Sequence, residues 1–159
     1  MPERDRDESG RPQSARPRDA LGRPLSRGSK GVVPIPDDLA LSPAESLAFA
    51  QHLIDQGLAF NAHEVLEAAW KSGPIDEKPL WQGLAQLAVG ITHVQRGNVD
   101  GAIALLRRAS SHLAAIDGTA PYSVDVAGLI DYVGTLVHDL TDRVELSAER
   151  LRPALTART

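Results

Sequence analysis

An internal repeat at an offset of forty residues constrains this chain more than any other feature of it: Leu47, Ala48, Gly57, Ala62, Leu66 and Ala69 recur as Leu87, Ala88, Gly97, Ala102, Leu106 and Ala109. Each copy reads as an apolar helix, a glycine, and a second helix carrying small residues on one stripe. Glycine can adopt the left-handed conformation that ends a helix, and an alanine stripe lets the second helix approach the first closely. The repeat therefore predicts two antiparallel helical hairpins, helices one and two followed by helices three and four.

Local signals place the helices. Ser42-Pro43-Ala44-Glu45 has the form of a capping box with proline at the first helical position, and helix one then runs to about Gln56. Its apolar face is Leu47, Ala50 and Ile54, with Phe49 and Leu53. A second start signal at Asn61 opens helix two, which continues through Lys71 and breaks at Ser72-Gly73-Pro74. Helix three is expected over Pro79 to Arg96, with Leu80, Leu84, Leu87, Ile91 and Val94 at helical spacing. Asn98 or Asp100 caps helix four, which reaches about Ala115. Ser123 or Asp125 starts helix five, whose broad stripe from Val126 to Leu140 is suited to cover the second hairpin, and a short sixth element is expected near Ala148. No segment alternates in the manner of a strand. The expected fold is all-α, with five main helices. The spacing of glycine and alanine resembles a tetratricopeptide hairpin, although forty residues exceeds that repeat's usual period of about thirty-four.

Charge and composition divide the chain. Residues 1–36 carry eight Lys and Arg against five acids and six of the eleven prolines, leaving nine basic and sixteen acidic residues, a charge of -7, for the remainder. So few large apolar residues cannot offset the entropy of ordering, and residues 1–36 are expected to be a disordered Arg/Pro-rich tail. A single helical domain over 37–152 and a C-terminal tail over 153–159 complete the expected organisation. The absence of cysteine excludes disulfide scaffolds, thiolate metal sites and cysteine nucleophiles. No apolar run approaches the length of a membrane helix and none near the start has the form of a secretory signal, so a cytoplasmic protein without membrane insertion is expected. The acidic body argues against nucleic acid as the partner, a role that only the basic tail could carry.

The densest polar constellation is Asn61-Ala62-His63-Glu64-Val65-Leu66-Glu67-Ala68-Ala69-Trp70. On a helix, His63, Glu67 and Trp70 share one stripe, beside the stripe of Ala62, Leu66 and Ala69. If the alanines pack on helix one, the histidine stripe faces helix three, where Gln82, Gln86, Val89 and His93 also share a face. A short connection makes helices two and three antiparallel, which sets Glu67 near Gln82 and Gln86, and His63 nearer Val89 and His93. Three accounts of this cluster stand. It can be a structural hydrogen-bond network, with Glu64 completing a cap begun by Asn61. It can be a pocket for a peptide or small ligand. It can also be a two-histidine, one-carboxylate zinc or iron site of His63, Glu67 and His93 with Glu64 as base, since His63 and Glu67 have the spacing of the HExxH motif. His52, His112 and His138 read as surface or boundary residues.

The run from Phe60 to Trp70, followed by Gln82-Gly83-Leu84-Ala85-Gln86-Leu87-Ala88 and His93-Val94-Gln95-Arg96-Gly97-Asn98, with Gly101-Ala102 and Leu105-Leu106-Arg107-Arg108, resembles domain-of-unknown-function family 309. The resemblance covers roughly residues 40–115. It implies a small, cytoplasmic, all-helical protein and places His63, Glu64, Glu67, Trp70, Gln82, Gln86 and His93 on family motif positions. It implies no activity. The leading expectation is a non-enzymatic helical-hairpin module that binds a peptide, protein or small ligand beside this cluster, without a cofactor and compatible with homo-oligomer formation. The alternatives are a metal-dependent hydrolase or oxygenase and a nucleic-acid-associated protein.

Overall fold

The sequence signals for α1 and for the turn after it are met in full. Ser42 Oγ accepts from the Glu45 amide at 3.2 Å while a Glu45 carboxylate oxygen accepts from the Ser42 amide at 3.0 Å, and α1 follows as Pro43–Asp55. In this computed structural model residues 5–6, 12–13 and 41–157 are described. After α1 come α2 (Ala59–Ser72), α3 (Lys78–Gln95), α4 (Val99–Ala114) and α5 (Val126–Thr141), so the fold is all-α. Single turns of 3-10 helix occur at Ile75–Glu77, at Pro121–Ser123 and, where a sixth element was expected, at Ala148–Leu151. The expectation of a disordered tail over 1–36 lies outside the described residues, apart from a two-residue antiparallel pairing of Asp5–Arg6 with Pro12–Gln13.

The forty-residue repeat appears as one turn built twice. Gly57 and Gly97 both have φ of +79°. The Gly57 amide donates to Ile54 at 2.9 Å and the Leu58 amide to Leu53 at 2.8 Å; the Gly97 amide donates to Val94 at 3.0 Å and the Asn98 amide to His93 at 2.9 Å. This is the Schellman pattern, which satisfies the last carbonyls of the first helix and restarts the chain at once. The immediate restart corrects the expected beginning of α2. Leu58, the counterpart of the true cap Asn98, offers no side-chain cap, α2 begins at Ala59, and Asn61 lies buried within its first turn.

Helix α3 is the centre of the molecule, packed on α2 to one side and α4 to the other. Trp81, Leu84, Leu87 and Ile91 are each no more than 1% exposed. Two glycines inside α3 set its approach to α4. A Cβ on Gly83 would stand 3.0 Å from Leu113, and one on Gly90 would stand 2.8 Å from Leu106. The lower-numbered glycine meets the higher-numbered leucine, so the second hairpin is antiparallel. Of the alanines on the repeated second helices, Ala62, Ala102 and Ala109 are wholly buried, while Ala69 is half-buried against the core. Asp125 caps α5 by accepting from the Gly128 amide at 3.1 Å, and α5 packs on α4.

The expected boundary after residue 152 does not separate a tail from the body. Gln51 on α1 accepts from the Leu155 amide at 2.8 Å and donates to the Pro153 carbonyl at 3.0 Å, and Leu155 is 1% exposed. On its other side this segment pairs with the loop before α5, Asp125 donating to Leu155 and Ala157 to Ser123. Among the described residues, no helix is long and apolar enough to cross a membrane.

A candidate binding groove between α2 and α3

Helix α2 directs His63, Glu67 and Trp70 toward α3, because the adjacent stripe, Ala62, Val65 and Leu66, is consumed in the core. Helix α3 answers with Gln82, Ala85, Gln86 and Val89, and the two sets line an open groove of about 180 Å³. The five polar and aromatic side chains His63, Glu67, Trp70, Gln82 and Gln86 are thus brought together.

Glu67 is held at both oxygens. His63 Nε2 lies 3.2 Å from Oε2, and Lys71 Nζ lies 3.3 Å from Oε1. Burial pushes the His63 imidazole below its ordinary pKa, an effect that outweighs the opposing pull of the Glu67 carboxylate and is reinforced by Lys71. The ring is therefore neutral at pH 7. Its Nε2–H donates to Glu67, which leaves Nδ1 as an acceptor that is buried without a partner. Phe60 tilts against the ring at 5.7 Å between centroids.

At the other end of the groove, Lys78 holds Trp70. Its ammonium stands 5.2 Å from the indole centroid and donates to the carbonyls of Trp70 and Lys71, closing the C-terminus of α2. Gln86 Oε1 lies 2.7 Å from His112 Nδ1, which also lies 3.0 Å from the Arg108 carbonyl. Facing two oxygens, Nδ1 must carry the proton, so Gln86 Oε1 accepts and its amide nitrogen is left to donate. His112, expected at the surface or boundary, is half-buried and joins the network through Gln86.

Two expected members stand apart. Glu64 lies toward Asn61, whose Nδ2 is 3.5 Å away. His93 sits beyond the Val89 end of the groove, where its Nδ1 faces Asn98 Nδ2 at 3.2 Å and burial, with the charge of Arg96, lowers its pKa. Among the described residues no group of three or more His, Asp or Glu side chains is placed to hold a metal ion, so His63, Glu67 and His93 do not assemble the ligand set that their spacing suggested. Trp81 is a core residue, 1% exposed.

A larger groove of about 550 Å³ is lined by Leu47, His52 and Asp55 of α1 and by Tyr122, Ser123 and Thr156. Its rim, at Ala44 and Ala157, adjoins both ends of the continuous described chain.

Residues 47–105 match the family model described as Domain of unknown function (DUF309), a span that begins within α1, ends within α4 and contains both walls of the α2–α3 groove. That description assigns no activity. No curated protein and no solved structure matches the chain.

Proposed function

We propose that this chain, which over residues 47–105 matches the DUF309 family model, is a non-enzymatic helical-hairpin module that binds a peptide in the groove between α2 and α3. The observation that carries this reading is the composition of one small open groove: an indole, a carboxylate, a neutral imidazole and two carboxamides converge on about 180 Å³. Small-molecule pockets occupy about 300–1,000 Å³. A groove below that range suits one or two inserted side chains of a longer partner better than a whole cofactor.

The same lining argues against catalysis. It contains no hydroxyl, thiol or amine nucleophile. As a general base His63 would need a ring nitrogen free to face the substrate, whereas it has Nε2 on Glu67 and Nδ1 buried. The pairing of His63 with Glu67 serves instead to hold the carboxylate in one orientation.

Selection of displayed peptides on the purified chain tests the reading. Peptides recovered on the wild type are expected to bind Gln82→Ala and Val89→Arg at least tenfold more weakly, with both variants melting near the wild type. Selected peptides that bind both variants as tightly as the wild type would refute the assignment of the groove.

A further inference from the structure

We propose that the α2–α3 groove selects a cationic arginine side chain from a basic peptide; this rests on the peptide-binding reading above. The Glu67 carboxylate is the one anionic group in the lining. The groups that line the groove already hold cations supplied by the chain itself, Lys71 on the Glu67 carboxylate and Lys78 over the Trp70 ring. An acceptor-rich lining that draws in its own ammonium groups is built for a positive ligand.

The resident partner on Glu67 is easily replaced. The Lys71 side chain is 64% exposed, and an exposed ion pair of this kind contributes only about 0–1 kcal/mol. His63 contributes the opposite property. Its Nε2–H is fixed on Oε2, so the carboxylate is oriented before any ligand arrives. Each carboxylate oxygen has two lone-pair directions, and one on each remains after His63 and Lys71 are counted. A guanidinium can address both with its planar fork, which a compact ammonium cannot do.

Peptide backbone is accommodated as well. Because His112 occupies Gln86 Oε1, the Gln86 amide nitrogen is available to a carbonyl flanking the inserted side chain. Outside the groove, the charge of -7 over residues 37–159 favours the approach of a basic partner and disfavours an acidic one.

Three peptides of one sequence, differing only in a central arginine, citrulline or glutamate, test the proposal by calorimetric titration of the full chain at low and high salt. The arginine peptide is expected to bind at least tenfold more tightly than the citrulline peptide and to weaken as salt is raised. Glu67→Gln should abolish the preference for arginine over citrulline. Lys71→Ala, which removes the resident competitor and lies on an exposed position, should strengthen arginine binding several-fold. Equal affinity for arginine and citrulline, or a preference for glutamate, would overturn the cation assignment, while display-selected neutral peptides that still depend on Gln82 and Val89 would leave the peptide-binding reading standing. Failure of every peptide, selected or designed, to bind would overturn both.

Discussion

Gly90 is where a single atom decides how α3 and α4 meet. A Cβ there would lie 2.8 Å and 2.9 Å from Leu106 Cδ2 and Cγ, and 3.4 Å from the Leu106 backbone nitrogen, so the leucine cannot simply rotate away. Gly90→Ala is expected to destabilise the fold by about 1–3 kcal/mol through overpacking. Gly134→Ala on the exposed face of α5, where nothing lies within 4 Å, should stabilise by about 0.5–1 kcal/mol through helix propensity alone. Thermal melts of the two variants should therefore move in opposite directions. His63 gives the second expectation at this scale. Its folded pKa lies below the ordinary 6.5, so the unfolded chain takes up the proton first as pH falls. The contribution of neutral His63 is complete above about pH 6.5 and is lost as pH drops through the folded value. His93 shifts in the same direction, so His63→Gln should reduce, without abolishing, the loss in urea midpoint between about pH 7.5 and 5; an unchanged slope would contradict a buried neutral imidazole. The i, i+4 pairing of His63 with Glu67 was legible in the sequence because it is local to one helix. The contact of Gln86 with His112 was not, since it depends on the register of α3 against α4, which Gly83 and Gly90 set by their fit to Leu113 and Leu106.

Among the elements, helix starts were readable wherever a side chain makes the cap: Ser42, Asn98 and Asp125 each accept from a backbone amide three residues on. The start of α2 was not, because a Schellman turn restarts the helix at Leu58 without a polar cap, and Asn61 only imitates one. The C-terminal segment was least legible of all. Gln51 and Leu155 are 104 positions apart, and local periodicity carries no information about such a contact. Gln51 satisfies one amide and one carbonyl of the extended segment, and leaving such groups unpaired costs about 1–3 kcal/mol. Gln51→Ala is expected to lower stability by that amount. Deletion of residues 153–159 should cost at least as much, because it also removes Leu155, whose burial is worth about 1.5–3 kcal/mol. Denaturant titrations of the two variants check this, and a deletion that leaves the midpoint unchanged would show the segment to be a dispensable tail.

For the molecule as a whole, the forty-residue repeat made the all-α fold legible, since the repeated glycine fixes two identical turns and Ala62 and Ala102, at matching places in the second helix of each hairpin, are both wholly buried. Five of the seven candidate site residues lie along one groove for the same reason: α2 and α3 each have one stripe left after the core is filled, and the short connection turns those stripes toward each other. What the pattern could not convey is that the molecule has a second and larger groove against α1, formed by the returning C-terminal segment. The two grooves make opposite predictions about where a partner lands. The most direct measurement is a titration of the isotopically labelled chain with a selected peptide, followed by amide chemical shifts. The account predicts that the perturbed amides cluster on residues 63–70 of α2 and 82–89 of α3. Perturbation centred instead on residues 44–55, 122–123 and 156–157 would contradict it.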